Sequence, residues 1–160
     1  CAYPFECSTA GADHRHDAAV PGARNLPVTE ALDEYYNIML KTIELGGFQV
    51  LAHLDFPRLF FDSWEIDSGL LDKILSKVVQ QNIVLEVNTS SIHNSHDEPL
   101  PSYSIIERYR QLGGKKIVLG SDAHCTKDFS NQFKIITQKL SNRFQIGYIR
   151  KRIFCPLEDK

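Results

Sequence analysis

His53, Asp122 and His124 are the side chains of this sequence best placed to do chemistry. Each follows an apolar run that reads as a strand. Gln49-Val50-Leu51-Ala52 leads into His53-Leu54-Asp55, and Lys116-Ile117-Val118-Leu119 leads into Gly120-Ser121-Asp122-Ala123-His124. Residues that end strands in parallel α/β folds lie on the rim that carries the active site. Two imidazoles and one carboxylate suit zinc, manganese or iron and leave coordination positions open. A divalent cation held this way lowers the pKa of its bound water toward about 7 and offsets the charge of a phosphate ester. The expected chemistry is therefore metal-assisted hydrolysis of a small phosphorylated substrate, with His53, Asp122 and His124 as metal ligands and Asp122 and His124 as the catalytic pair.

Glu86 and Asn88 lie on the strand between these two, in Leu85-Glu86-Val87-Asn88-Thr89-Ser90-Ser91. If Leu85 and Val87 point to covering helices, Glu86 and Asn88 face the pocket. Asn88, Thr89 and Ser90 also suit a simple capped turn. Arg58, five residues past His53, has the chemistry to clamp an anion, although loop arginines are commonly just solvated. Two other groups are weaker candidates. No apolar strand precedes Asp13-His14-Arg15-His16-Asp17, and Cys125 sits on the helix side of its turn.

The elements that must position these residues alternate along the chain. Helices are expected over Thr29–Leu45, Ile66–Val79, the stretch after Pro101 (with Pro101 in its first turn) and Lys127–Leu140, the last packing Phe129, Phe133, Ile136 and Leu140 inward. Strands are expected at Phe48–Ala52, Ile83–Val87, Lys116–Leu119 and Phe144–Ile149, followed by a basic tail. A polar loop is expected through Asn94–Pro101. Helix–strand alternation with near-continuous Val/Ile/Leu strands predicts an α/β fold of about four parallel strands covered by helices. A complete eight-stranded barrel takes about 250 residues, so 160 residues supply about half of one. Residues 1–26 differ from the rest: they hold six of the nine alanines and no regular period. They read as a poorly ordered or foreign leader, and residues 27–160 as the folded unit.

Composition narrows the function classes. A formal net charge of −2 leaves no electrostatic footprint for nucleic acid or an anionic membrane. No apolar run approaches the roughly 20 residues of a membrane span. No basic-then-apolar leader opens the chain, and the four cysteines lack CxxC spacing, so free thiols in a reducing cytoplasm are expected. An open sheet edge would favour self-association.

Gly-Ser-Asp-Ala-His after a Val-Leu strand, Leu-Ala-His-Leu-Asp after Gly-Gly-Phe, and Leu-Glu-Val-Asn-Thr-Ser between them resemble the PHP superfamily, and within it the histidinol-phosphatases, from about Glu30 to Pro156. The resemblance implies a distorted (β/α)7 barrel, of which 27–160 would be the carboxyl-terminal half. It also implies a cluster of two or three divalent ions and hydrolysis of L-histidinol phosphate in histidine biosynthesis. His53 would match the family's third motif, Asp122 with His124 the fourth, and Glu86 and Asn88 would sit beside the substrate. His14 and His16 share letters with the first motif but lie too close to His53, with only 37 residues from His16 to His53. Two rival readings stay open. One is a catalytically silent interaction module that keeps the strand-end histidines as hydrogen-bonded core groups. The other is a different phosphoesterase activity of the same superfamily.

Overall fold

The computed structural model describes residues 27–157, apart from 63, 94–96 and 131. Leu32, Tyr36 and Ile43 form the buried stripe of α1 (Val28–Leu45), which ends where Gly46 turns left-handed at φ 66° and donates to Thr42 and Ile43 carbonyls. Strand β1 (Val50–Leu51) follows. The Asp67 carboxylate accepts the Leu70 N–H at 2.9 Å and so caps α2 (Ser68–Gln80), whose Ile74, Leu75 and Val78 are buried. Next come β2 (Val84–Asn88), a one-turn α3 (Ser90–His93) and α4 (Tyr103–Gln111). They are followed by β3 (Lys116–Gly120), α5 (Phe133–Leu140), β4 (Gln145–Arg150) and β5 (Ile153–Pro156).

The strands form one sheet in the order β1-β2-β3-β4-β5, parallel from β1 to β4. The register lines up Leu51, Leu85, Ile117 and Ile146 as one row across four strands. That row is buried with the helix stripes of α1, α2, α4 and α5. Each such aliphatic side chain contributes about 1.5–3 kcal/mol by leaving water, so this face holds the core. Period-two alternation sends Val84, Glu86 and Asn88 to the opposite face, beside Val118 and Gly120 of β3. The helices thus fix one face of the sheet and leave the other to the chemistry-bearing residues. No helix among the described residues is long and apolar enough to cross a membrane.

Several expectations need correction. The sheet has five strands, because the expected basic tail turns back as β5, antiparallel to β4. The turn residues Lys151 and Arg152 both adopt positive φ, 50° and 67°, the conformation that hairpins normally assign to Asn-Gly. Arg152 is held there by its bond to the Gly47 carbonyl at 2.8 Å. The strand expected over Phe48–Ala52 pairs only at Val50–Leu51. The last long helix begins at Phe133, after a short 3-10 turn at Thr126–Asp128, and Phe129 is 75% exposed rather than inward. Helix α4 starts after Ser102, so Pro101 precedes it instead of forming its first turn. Residues 1–26, with His14 and His16, lie outside the described residues.

Candidate active site

Glu86 occupies the middle of the rim. It projects from β2 on the face away from the helices, and its carboxylate lies against the Cα of Gly120, where a built Cβ would overlap Oε1 and stand 2.9 Å from Cδ. Only glycine on β3 leaves that space. Asn88, two residues on along the same face of β2, accepts the Ser90 N–H through Oδ1 at 2.9 Å and starts the turn into α3. Burial pushes the Glu86 carboxyl up from its ordinary range; His53 and Asn88 pull it down, and Asp122 pushes it further up. Its Oε2 is buried without a hydrogen-bond partner. An unpartnered buried carboxylate oxygen costs folding free energy, and such an atom is the natural seat for a cation or donor that binds later.

His53 and Asp122 flank this carboxylate from the two neighbouring strand ends. Both have left-handed backbone, φ 56° and 46°, a region that non-glycine residues enter at a cost of about 1–2 kcal/mol. Such strain is characteristic of residues that a site over-determines. The His53 ring packs edge-on against Phe56, with centroids 5.3 Å apart, and the Tyr35 hydroxyl donates to its carbonyl. Between β2 and β3, the Thr89 N–H donates to the Gly120 carbonyl at 2.7 Å, so the ladder runs on past the last strand residue and fixes the two rim turns together.

The ion-holding triad expected from the sequence is not closed. Asp122 Oδ1 and His124 Nε2 stand 3.8 Å apart, but the His124 side chain is 90% exposed. Among the described residues no group of three His, Cys, Asp or Glu side chains could hold one ion. His53, Asp122 and His124 are all exposed, so their side chains do not close on one point. The structure therefore brings His53, Glu86 and Asp122 to one stretch of rim, with His124 outside it. Arg58 has an occupation the sequence did not suggest. Its Nη2 donates to the Pro99 carbonyl at 2.6 Å, Nε lies 3.3 Å from Asp55 and Nη1 3.6 Å from Glu98.

Asp55, Ser102 and Tyr35 also shape this rim, through Ser102 N–H to Asp55 and the Tyr35 hydroxyl to the His53 carbonyl. Asp55 is the one with a visible signal, as the third letter of His-Leu-Asp. Tyr35 reads as one more apolar position of α1, and nothing local marks Ser102. Burial, with Asp55 nearby, raises the Tyr35 hydroxyl to about 12, so it remains a donor to the His53 carbonyl at any physiological pH.

No protein-family model matches the chain. A probable histidinol-phosphatase of Thermotoga maritima is 32% identical to it over 137 residues, 85% of this chain and 55% of that protein. Over this stretch the chain is similar to the histidinol-phosphatases. A second probable histidinol-phosphatase, from Clostridium acetobutylicum, is 25% identical over 123 residues, covering 69% of this chain and 46% of that one. The chain spans about half the length of the curated relatives it matches. Its fold is similar to a crystal structure of histidinol phosphate phosphatase from Lactococcus lactis complexed with zinc, L-histidinol and phosphate. The TM-score is 0.57 at 19% identity, covering 79% of this chain and 51% of the other. That likeness supports the mostly parallel, helix-covered α/β sheet.

Proposed function

We propose that residues 27–160 form the carboxyl-terminal half of a PHP-type barrel and supply one wall of a metal-dependent phosphomonoesterase site. Its reaction is hydrolysis of L-histidinol phosphate to L-histidinol and phosphate, in histidine biosynthesis. One observation carries the reading. A buried carboxylate oxygen of Glu86 stands unpartnered between His53 and Asp122, at the ends of adjacent parallel strands, in a chain aligned with histidinol-phosphatases. The relative solved with zinc, L-histidinol and phosphate points to the same substrate and to a divalent ion.

The donor chemistry at this rim fits a borderline cation, and the orphaned Glu86 oxygen fits a cationic guest. With His124 drawn in from solvent, His53, Asp122 and His124 would hold zinc, manganese or iron, two or three ions in the complete site, and such ions would supply activated water and charge neutralisation for phosphoryl transfer. The chain's own residues do the rest. Arg58 orients the phosphate through its guanidinium. Glu86 faces the cationic part of the substrate, and Asn88 sets the turn that keeps β2 and α3 in register. The left-handed backbone at His53 and Asp122 aims both residues from strand ends that the Thr89–Gly120 bond holds side by side. The protein is proposed to be cytoplasmic, with no nucleic-acid or membrane partner, and to self-associate through its open sheet edge.

Release of phosphate from L-histidinol phosphate, with zinc, manganese or iron supplied, tests the reading against a phosphodiester substrate. Low but chelator-sensitive monoesterase activity, lost in Asp122→Ala and His53→Ala, is the expected outcome. A stable, metal-indifferent chain without monoesterase activity would instead favour the interaction module, and a preference for the diester would favour another phosphoesterase.

A further inference from the structure

We propose that Asp55 is a positioning residue that fixes Arg58, and with it the loop after β1, against the segment leading into α4. Asp55 is fully buried, at 0% exposure. Its Oδ2 accepts the Ser102 N–H at 2.9 Å and forms an ion pair with Arg58 Nε at 3.3 Å, a charge contact without a hydrogen bond, since Arg58 Nε and Asp55 Oδ1 are both buried with no hydrogen-bond partner. The same guanidinium donates through Nη2 to the Pro99 carbonyl at 2.6 Å, and its Cζ stands 5.9 Å from the Trp64 ring centroid. The segment it grips is itself tied to the rim. Leu100 exchanges both backbone hydrogen bonds with Asn88, at 2.7 and 2.9 Å. One buried carboxylate therefore links the turn that carries His53 to the turn that carries Asn88.

The energetics single out Asp55 within this network. Remove its charge and Arg58 keeps a neutral carbonyl and Glu98, a partly exposed carboxylate 3.6 Å away. Neither defines the guanidinium plane at Nε. An arginine gives up much rotamer freedom when it binds, and its planar fork loses less of it when one edge is held beforehand. Burial pushes the Asp55 carboxyl up, while the Ser102 N–H and the Arg58 charge pull it down. A buried ion pair that merely filled space could be replaced by apolar groups at little loss, so the structural consequence of this one is orientation rather than stability. The inference rests on the proposed function only in giving Arg58 an anion to bind.

Titration of the full chain with inorganic phosphate, wild type against Asp55→Asn and Arg58→Ala, tests it. Asparagine keeps an acceptor for Ser102 but loses the charge facing Arg58. Phosphate affinity should fall by about tenfold or more in both variants, the worth of one charge-assisted contact, while zinc affinity stays within about twofold. A cooperatively melting Asp55→Asn that binds phosphate as wild type does would overturn the proposal. The Nε–H of Arg58 gives a second readout in the wild-type chain, by nitrogen-detected hydrogen exchange. It should exchange at least about tenfold more slowly than that of the exposed Arg150; equal rates overturn the proposal even where Asp55→Asn does not fold. If wild type binds no phosphate yet Arg58 Nε–H is protected, the brace stands and the anion-binding role of Arg58 falls.

Discussion

Replacing Glu86 with glutamine separates what the rim costs the fold from what it does. In the folded chain the Glu86 carboxyl is pushed above its ordinary range, chiefly by burial and less by Asp122, against the opposing pull of His53 and Asn88. The folded state therefore holds this proton more tightly than the unfolded chain, whose glutamate titrates near about 4.3. Stability from this group is fully present below that pH and is lost as pH rises through the folded value. Glutamine keeps the shape without the charge. Leaving a buried polar atom unsatisfied costs about 1–3 kcal/mol, and because Glu86 is only partly buried the lower end applies. Glu86→Gln should thus be more stable than wild type by about 1 kcal/mol at pH 7, with the two converging below about pH 4. Urea denaturation at a series of pH values measures this directly. A variant no more stable at pH 7, or a gap that does not shrink in acid, would refute the account of Glu86 as an uncompensated carboxylate. The same variant should lose substrate binding, since the atom that strains the fold is the one proposed to meet a cation.

Other outcomes follow from close approaches in the sheet. Gly120→Ala drives a methyl group into the Glu86 carboxylate; it should cost about 1–3 kcal/mol, and much less when combined with Glu86→Ala, as a double-mutant cycle by chemical denaturation would show. Gly147→Ala sets a methyl group against the Cys155 carbonyl and the Phe154 ring, so loss of β5 protection in amide exchange is expected while β2 and β3 stay protected. Ile74→Ala in α2 empties a fully buried site in the core and should cost about 2–5 kcal/mol by urea melts.

The helix-covered face of the sheet was legible in the sequence because burial imposes a period. Ile74, Leu75 and Val78 fall at helical spacing and Leu85, Val87 and Ile117 at strand spacing, and no other arrangement hides them all. The rim was legible in part for a different reason: strand ends are found wherever an apolar run stops, and His53 and Asp122 stand there. What stayed hidden depends on long-range geometry. The β4–β5 hairpin carries Lys151-Arg152 in place of a glycine-bearing turn, and the bond from Arg152 to Gly47, 105 residues away, helps to hold it. The solvent position of His124 and the capture of Arg58 by Asp55 and Pro99 are equally non-local. The sheet face that Glu86 takes followed from the alternation with Leu85 and Val87, but its unpartnered oxygen emerges only once Gly120 is set beside it.

Anomalous diffraction from crystals of the chain grown with zinc bears most directly on the claim that this rim is one wall of a cation site. The account predicts a zinc peak at the ends of β1 and β3, with Asp122 and His53 ligands at about 2.0–2.2 Å and His124 drawn in from solvent. Crystals with zinc elsewhere, and with His53, Glu86 and Asp122 unligated at saturating metal, would contradict it.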